Sequence, residues 1–320
     1  MATDEYIPVA ADDWYQRRRQ DAEGEFFRHV ADQGPRKGAG GSTRQGIYCL
    51  TASGKLLAYK NAQDPDVMRE VLEQGLAAWQ SLNPAERKPR KSEAAPSDKA
   101  QDARYTRTLP EGGLIANVFT RAVERDDQGE LTACEKDAGI PGSKAAARDH
   151  LWLTATDQQS LVEAAQAASR GNAFPLPEPI TRRIARFHLI DNTRGEPPLW
   201  SPEEVRAANL TLTVKEATAD AIHLVLSGDV LLATDAEIEK ADRGYDVRLL
   251  GHVTIDLARQ AVTRFDLVAI GEHWGEGPYT GGARPGRTPL AVAFDLSDGT
   301  KPGDNVPPAG IRDRWDYLGE

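Results

Sequence analysis

The stretch "GEHWGEGPYTGGARPGR", residues 271–287, holds the densest group of reactive side chains in the chain. Glu272 and His273 are of the types that exchange protons, Trp274 and Tyr279 offer stacking faces, and Arg284 carries the fork that clamps a carboxylate. Glycines between them would let a connection close over a ligand, and the stretch follows the strand-like run "AVTRFDLVAI", a common setting for binding loops. His273 and Glu272 are therefore the candidate catalytic pair. Trp274, Tyr279 and Arg284 are the candidate ligand-binding residues. A second polar stretch, "DNTRGEPPLW" at residues 191–200, contains Asp191, Arg194 and Glu196, which are expected to fix a buried turn by charge-assisted hydrogen bonds rather than to catalyse.

Other chemistries find less support. His188 with Asp191, His223, and His252 with Asp256 fall where strands can bring imidazoles together, but no HxH or HExxH spacing occurs, so no metal and no cofactor are assigned. His252 lies in the alternating run "GHVTID" and is expected to face solvent. "GAGGSTRQG", residues 38–46, lacks phosphate-loop spacing and leads into a strand rather than out of one. No GxSxG offers a serine nucleophile. The only two cysteines, Cys49 and Cys134, are too few for a disulfide scaffold or a thiolate metal site, although one bridge between them remains open. Either thiol would need a histidine supplied by folding to act as a nucleophile.

A chain of 320 residues with 40% hydrophobic content is long and apolar enough for two folded parts. Its 39 Lys and Arg against 49 Asp and Glu give a formal charge of −10, which disfavours nucleic acid and anionic membrane as partners. Arg17, Arg18 and Arg19 are interleaved with acids and are expected on a solvated helix face. The opening "MATDEYIPVAADDW" has neither the basic start nor the apolar run of a signal peptide, and no segment reaches the length of a membrane span. The expected location is cytoplasmic by default, with secretion compatible only with a leader removed from a longer precursor.

The elements that would position these residues begin with a strand at "EYIPVA" and a helix carrying Trp14, Tyr15, Phe26, Phe27 and Val30, with Gly24 as its weak point. "GIYCL" and "KLLAY" flank a turn in which Gly54 takes positive φ, and Asp64 caps a helix with Pro65 at its first position. Residues 83–104 are charged, proline-bearing and poor in large apolar side chains, as in a linker. "GGLIANVFTRAV" and "LTAC" are strand candidates and "TATDQQSLVEAAQAASRG" a helix ending at Gly171, while the prolines of "FPLPEP" oppose regular structure. The second half of "ITRRIARFHLID" is expected as a strand, and Ser201, Pro202 and Glu204 form a capping box that opens a helix. From "LTLTV" onward, β-branched runs punctuated by turns predict sequential antiparallel strands in a sandwich or a strongly curved sheet.

The order strand, helix, hairpin, helix over residues 5–82, with "STRQGIYCLTASGKLLA" entering a strand and turning back at a glycine, resembles the carboxy-terminal half of a thioredoxin-like domain. That resemblance implies a βαββα unit. Two features of the family are missing: no CxxC precedes the unit to supply a thiolate, and Thr43, Arg44 and Gln45 stand where the family places a cis-proline. Cys49 then reads as a small buried hydrophobe.

The chain is thus expected to be α+β: an incomplete thioredoxin-like unit over residues 1–82, a polar linker over 83–104, and a predominantly antiparallel β domain with one or two helices over 105–320. The expected function is that of a non-catalytic accessory or binding protein with a protein or small-molecule partner. The alternatives are an enzyme or small-ligand-binding protein with a site near residues 271–287, with or without a metal, and a redox protein whose active half lies on another chain or upstream.

Overall fold

In a computed structural model the chain divides into two units, Met1–Thr106 and Arg107–Glu320. The structure describes residues 1–38, 42–62, 64–87, 102–105, 107–134 and 146–319. Most of the expected linker, and part of the glycine-rich stretch at 38–46, lie outside the described residues.

The first unit contains α1 (Asp13–Gln16), α2 (Ala22–Ala31), β1 (Ile47–Leu50), β2 (Leu56–Lys60), α3 (Pro65–Ser81) and α4 (Pro84–Arg87). β1 and β2 form the antiparallel hairpin expected from sequence, with Gly54 at φ +85° in its turn. Asp64 caps α3 by accepting from the N–H groups of Asp66 and Val67. α3 lies directly on β1, because a Cβ at Gly75 would fall 2.6 Å from that of Cys49. Two expectations fail. "EYIPVA" forms no strand: Ile7 to Ala10 are exposed without a ladder partner, while the Tyr6 hydroxyl donates to the carbonyl of Leu72. The helix expected over residues 14–30 is broken between α1 and α2, where Arg19 turns inward and pairs with Asp21 and Glu23, each at 2.7 Å. Arg19 is 2% exposed, so it does not belong to a solvated face. Gly24 permits this approach, since a Cβ there would fall 2.3 Å from the Arg19 carbonyl oxygen.

The second unit contains, in chain order, β3 (Leu114–Arg125), β4 (Leu131–Ala133), β5 (Ala146–Leu153), α5 (Ala155–Ala167), β6 (Ala173–Pro175), α6 (Glu178–Arg183), β7 (Val205–Ala217), β8 (Ala221–Ala233), β9 (Gly244–Asp256), β10 (Ala261–Trp274), β11 (Thr288–Leu296) and α7 (Arg314–Leu318). Among the described residues the strands make one nine-stranded sheet in the order β4-β3-β11-β10-β9-β8-β7-β6, with β5 also pairing to β3. Every ladder is antiparallel. Of the two expected forms, a sandwich or a strongly curved sheet, the strands form a single sheet and not a sandwich. Its inner face carries Leu226, Leu249, Val253, Phe265 and Leu267, which pack with Leu161, Val162 and Ala165 of α5 and Ile180 of α6. Burial of about 25 cal/mol for each Å² of apolar surface makes this cluster the main source of stability of the unit. Among the described residues, no helix is long and apolar enough to cross a membrane.

Several local expectations are corrected here. The runs "AIHLVLSG" and "DVLLAT" are one strand, β8, in which a Cβ at Gly228 would fall 1.9 Å from the carbonyl oxygen of Asn209. "ITRRIARFHLID" is the helix α6 followed by a π turn over Ile184–His188. That turn is buried on all sides, so its continuous apolar pattern imitates a central strand. "FPLPEP" supplies the short β6, which tolerates Pro175 because it lies at the sheet edge. Glu204 accepts from the Ser201 N–H at 2.8 Å as the capping box requires, but the turn stops after one step because β7 begins at Val205.

Candidate functional site

β10 extends through Trp274, and this decides the fate of the proposed catalytic pair. Consecutive residues on a strand point to opposite faces, so Glu272 and His273 diverge. Glu272 stands on the outer face, with Oε1 3.6 Å from Nη2 of Arg125. His273 is 6% exposed on the inner face, opposite Tyr245 in the ladder, with the two ring centroids 5.8 Å apart. Burial pushes the His273 imidazole down to about 4; Arg194, Arg243 and Arg284 act in the same direction and Asp191 opposes them. The ring is therefore neutral at pH 7.

The three candidate ligand-binding residues are also separated. Trp274 is buried and donates from Nε1 to the carbonyl of Ala241 at 3.0 Å, with the Arg287 guanidinium 4.2 Å above its ring. Arg284 donates to the carbonyls of Val123 and Pro289, both at 2.7 Å, so its fork holds backbone. Tyr279 projects outward and is 79% exposed.

In "DNTRGEPPLW", Asp191 and Arg194 fix a buried turn as expected, while Glu196 takes no part in it. Asp191 accepts from the Thr193 N–H at 3.0 Å, the Thr193 hydroxyl at 2.6 Å and Arg194 Nε at 2.7 Å. Burial alone would raise the Asp191 carboxyl, but these hydrogen bonds hold it below the usual carboxylate range. Arg194 then reaches the 271–287 loop, donating to the carbonyls of Thr280 and, at 3.0 Å, Gly275. Gly195 makes room for the contact, since a Cβ there would fall 2.3 Å from the Tyr279 carbonyl oxygen. Glu196 pairs at the surface with Arg312 at 3.0 Å.

A second polar cluster has no counterpart in the sequence reading. His188 faces Asp149 and not Asp191: His188 Nδ1 lies 3.3 Å from Asp149 Oδ2, and Nε2 lies 2.9 Å from the Tyr317 hydroxyl. The hydroxyl also accepts from the Trp152 N–H at 3.1 Å. Arg183 ion-pairs with Asp157 and donates to the carbonyls of Tyr317 at 2.8 Å and Trp152 at 3.1 Å. Nδ1 of His188 and Oδ2 of Asp149 make no hydrogen bond to each other, so the aspartate, histidine and hydroxyl form no continuous proton relay. Tyr317 is 0% exposed and burial raises its phenol above the usual range, so the array joins segments rather than meeting a substrate. The one hint in sequence is the placement of Arg183, Arg186 and His188 within an apolar run.

Elsewhere, His223 Nδ1 lies 3.2 Å from the Thr254 hydroxyl, and His252 is exposed. Cys49 and Cys134 are both free and buried, and burial pushes the Cys49 thiol up. Among the described residues, no group of three or more His, Cys, Asp or Glu side chains is placed to hold a metal ion. No family model, curated protein or solved structure matches the chain.

Proposed function

We propose that the chain is a non-catalytic binding protein, in which an amino-terminal unit related to the carboxy-terminal half of thioredoxin-like domains is joined to a β-rich unit that recognises a protein partner. The observation that carries this reading is the engagement of Trp274 and Arg284 with backbone carbonyls, together with the divergence of Glu272 and His273. Meanwhile the outer face of the large sheet leaves Phe119, Leu250, Val268 and Ile270 exposed. The turn at Gly54 and the capped helix that follows support the thioredoxin-like kinship, and a buried thiol disfavoured as thiolate accords with lost redox chemistry.

The test joins metal analysis, thiol titration and an insulin-reduction assay on the native full chain. The expected result is no stoichiometric ion, a slowly reacting Cys49 and no reduction. A tightly held ion or redox turnover overturns the reading. The second reading, a small-ligand or enzymatic site near residues 271–287, draws on one observation: His273 is a neutral, buried base near Asp191 beneath a loop whose Tyr279 is exposed.

A further inference from the structure

We infer that residues 304–319 form an acid-released strap, which at neutral pH closes the edge of the large sheet at β5. This goes beyond the binding reading and does not rest on it. Among the described residues β5 pairs only with β3, so its other side is a sheet edge, open to a further strand unless something covers it. The strap covers it at Trp152. The Tyr317 hydroxyl accepts from the Trp152 N–H at 3.1 Å, and Arg183 donates to the Trp152 carbonyl at 3.1 Å while holding the Tyr317 carbonyl at 2.8 Å. Three polar ties fasten the rest: Asp304 to Arg148 at 2.7 Å, the Ala309 N–H to Asp149 at 3.0 Å, and Asp316 to both Nη atoms of Arg186 at 2.6 and 2.7 Å. Ile311 and Tyr317 are buried beneath it, the phenol ring standing edge-on to Phe187.

His150 makes this closure sensitive to acid. It shares a face of β5 with Arg148, whose Nη2 spans Asn117 and Asp304, and Asn117 is the residue opposite His150 in the ladder. The imidazole therefore lies on the face that the turn carrying Asp304 covers. It is 3% exposed, and neither ring nitrogen has a hydrogen-bond partner among the described residues. A protonated ring would bring two N–H donors and a charge into this interior with nothing to accept them. The charged and titratable groups that face it are Arg148 and Asp149 from β5, Asp304 from the strap and His188 from the π turn. Burial first, and then Arg148, hold the ring below its ordinary value of 6.5. Asp149 and Asp304 oppose this, but the first already accepts from Ala309 and the second pairs with Arg148. A ring uncovered by the strap thus binds a proton that the closed form refuses. The closed form is fully favoured above about pH 6.5 and loses ground as the pH falls below it.

Hydrogen exchange of the full chain, compared between about pH 7.5 and about pH 5 after correction for the intrinsic pH dependence of exchange, tests the inference. Protection over residues 304–319 and at Trp152 is expected to fall several-fold at the lower pH, while β8 and β9 keep theirs. His150→Gln, whose side chain takes up no proton in this range, should abolish that fall, with circular dichroism verifying its fold. Should the variant not fold, the wild type alone decides. Strap protection that is equal at both pH values, or that falls in step with β8 and β9, overturns the inference. A folded His150→Gln whose strap still loosens in acid overturns it as well.

Discussion

The Tyr317 hydroxyl, on α7, lies 2.9 Å from Nε2 of His188 in the π turn, and the same oxygen accepts from the backbone of β5 at Trp152. One phenol therefore joins three segments distant in sequence. Tyr317→Phe keeps the ring but leaves a ring nitrogen and a backbone N–H without their partner in a dry interior. The expected loss is about 2 to 6 kcal/mol, since each of the two orphaned groups costs roughly 1 to 3. Urea unfolding at neutral pH measures it, and a loss near zero would show that water reaches both groups.

His273 sets a pH dependence whose sign follows from burial. Its ordinary value of 6.5 is lowered to about 4 in the folded chain, so between those values the unfolded chain binds a proton that the folded chain refuses. Stability should be full above about pH 6.5 and decline as the pH falls toward 4, by about 3 kcal/mol over the whole interval. His273→Gln removes this contribution and should flatten the profile. Equal slopes for both proteins in denaturant titrations across that range would refute it.

Arg194 is the clamp between the 191–200 turn and the 271–287 loop. Arg194→Ala leaves Asp191 buried without its cation and frees the carbonyls of Gly275 and Thr280. A cost of about 3 kcal/mol is expected, as for other broken buried pairs. Hydrogen exchange should rise at residues 275–281 well before it rises in β9. Uniform exchange through the sheet would instead mean that the loop has no separate opening.

Gly54→Val should damage the first unit for two reasons. The position has φ +85°, which a β-branched residue resists, and a Cβ there would meet Cε2 of Phe26 at 2.9 Å. A fall in the thermal midpoint equivalent to about 1 to 3 kcal/mol is expected. Unchanged melting would remove the case for this turn as a structural requirement.

The parts of the fold legible in sequence are those whose signals are local. The Gly54 hairpin, the Asp64–Pro65 helix start and the alternation along β7 depend on neighbours within a few residues, and each stands where the sequence places it. β5 escaped because "AARDHLWL" carries Arg148, Asp149 and His150, which look wrong for a buried strand until distant partners are known. Arg148 finds Asp304, and Asp149 accepts from the N–H of Ala309 at 3.0 Å. The same holds for the site. Asp191 and Arg194 are legible as a turn because they bond to each other, whereas Arg284 reads as free to bind a ligand because one of its two carbonyl partners, Val123, lies on β3, far away in sequence. In sequence Glu272 and His273 read as sharing a loop, but β10 runs through Trp274 and sends them apart.

The placement of β11 has a consequence in time. Among the described residues it is the last strand of this sheet to be synthesised, yet it sits between β3 and β10, pairing with both. On the ribosome, β3 with β5 and the meander from β7 to β10 can each assemble early, but neither half can join the other until residues 288–296 emerge. Until then two open strand edges stand waiting, each able to pair with the same edge of a neighbouring nascent chain. Translation that pauses before residue 288 should therefore favour aggregation, and release past residue 296 should end it.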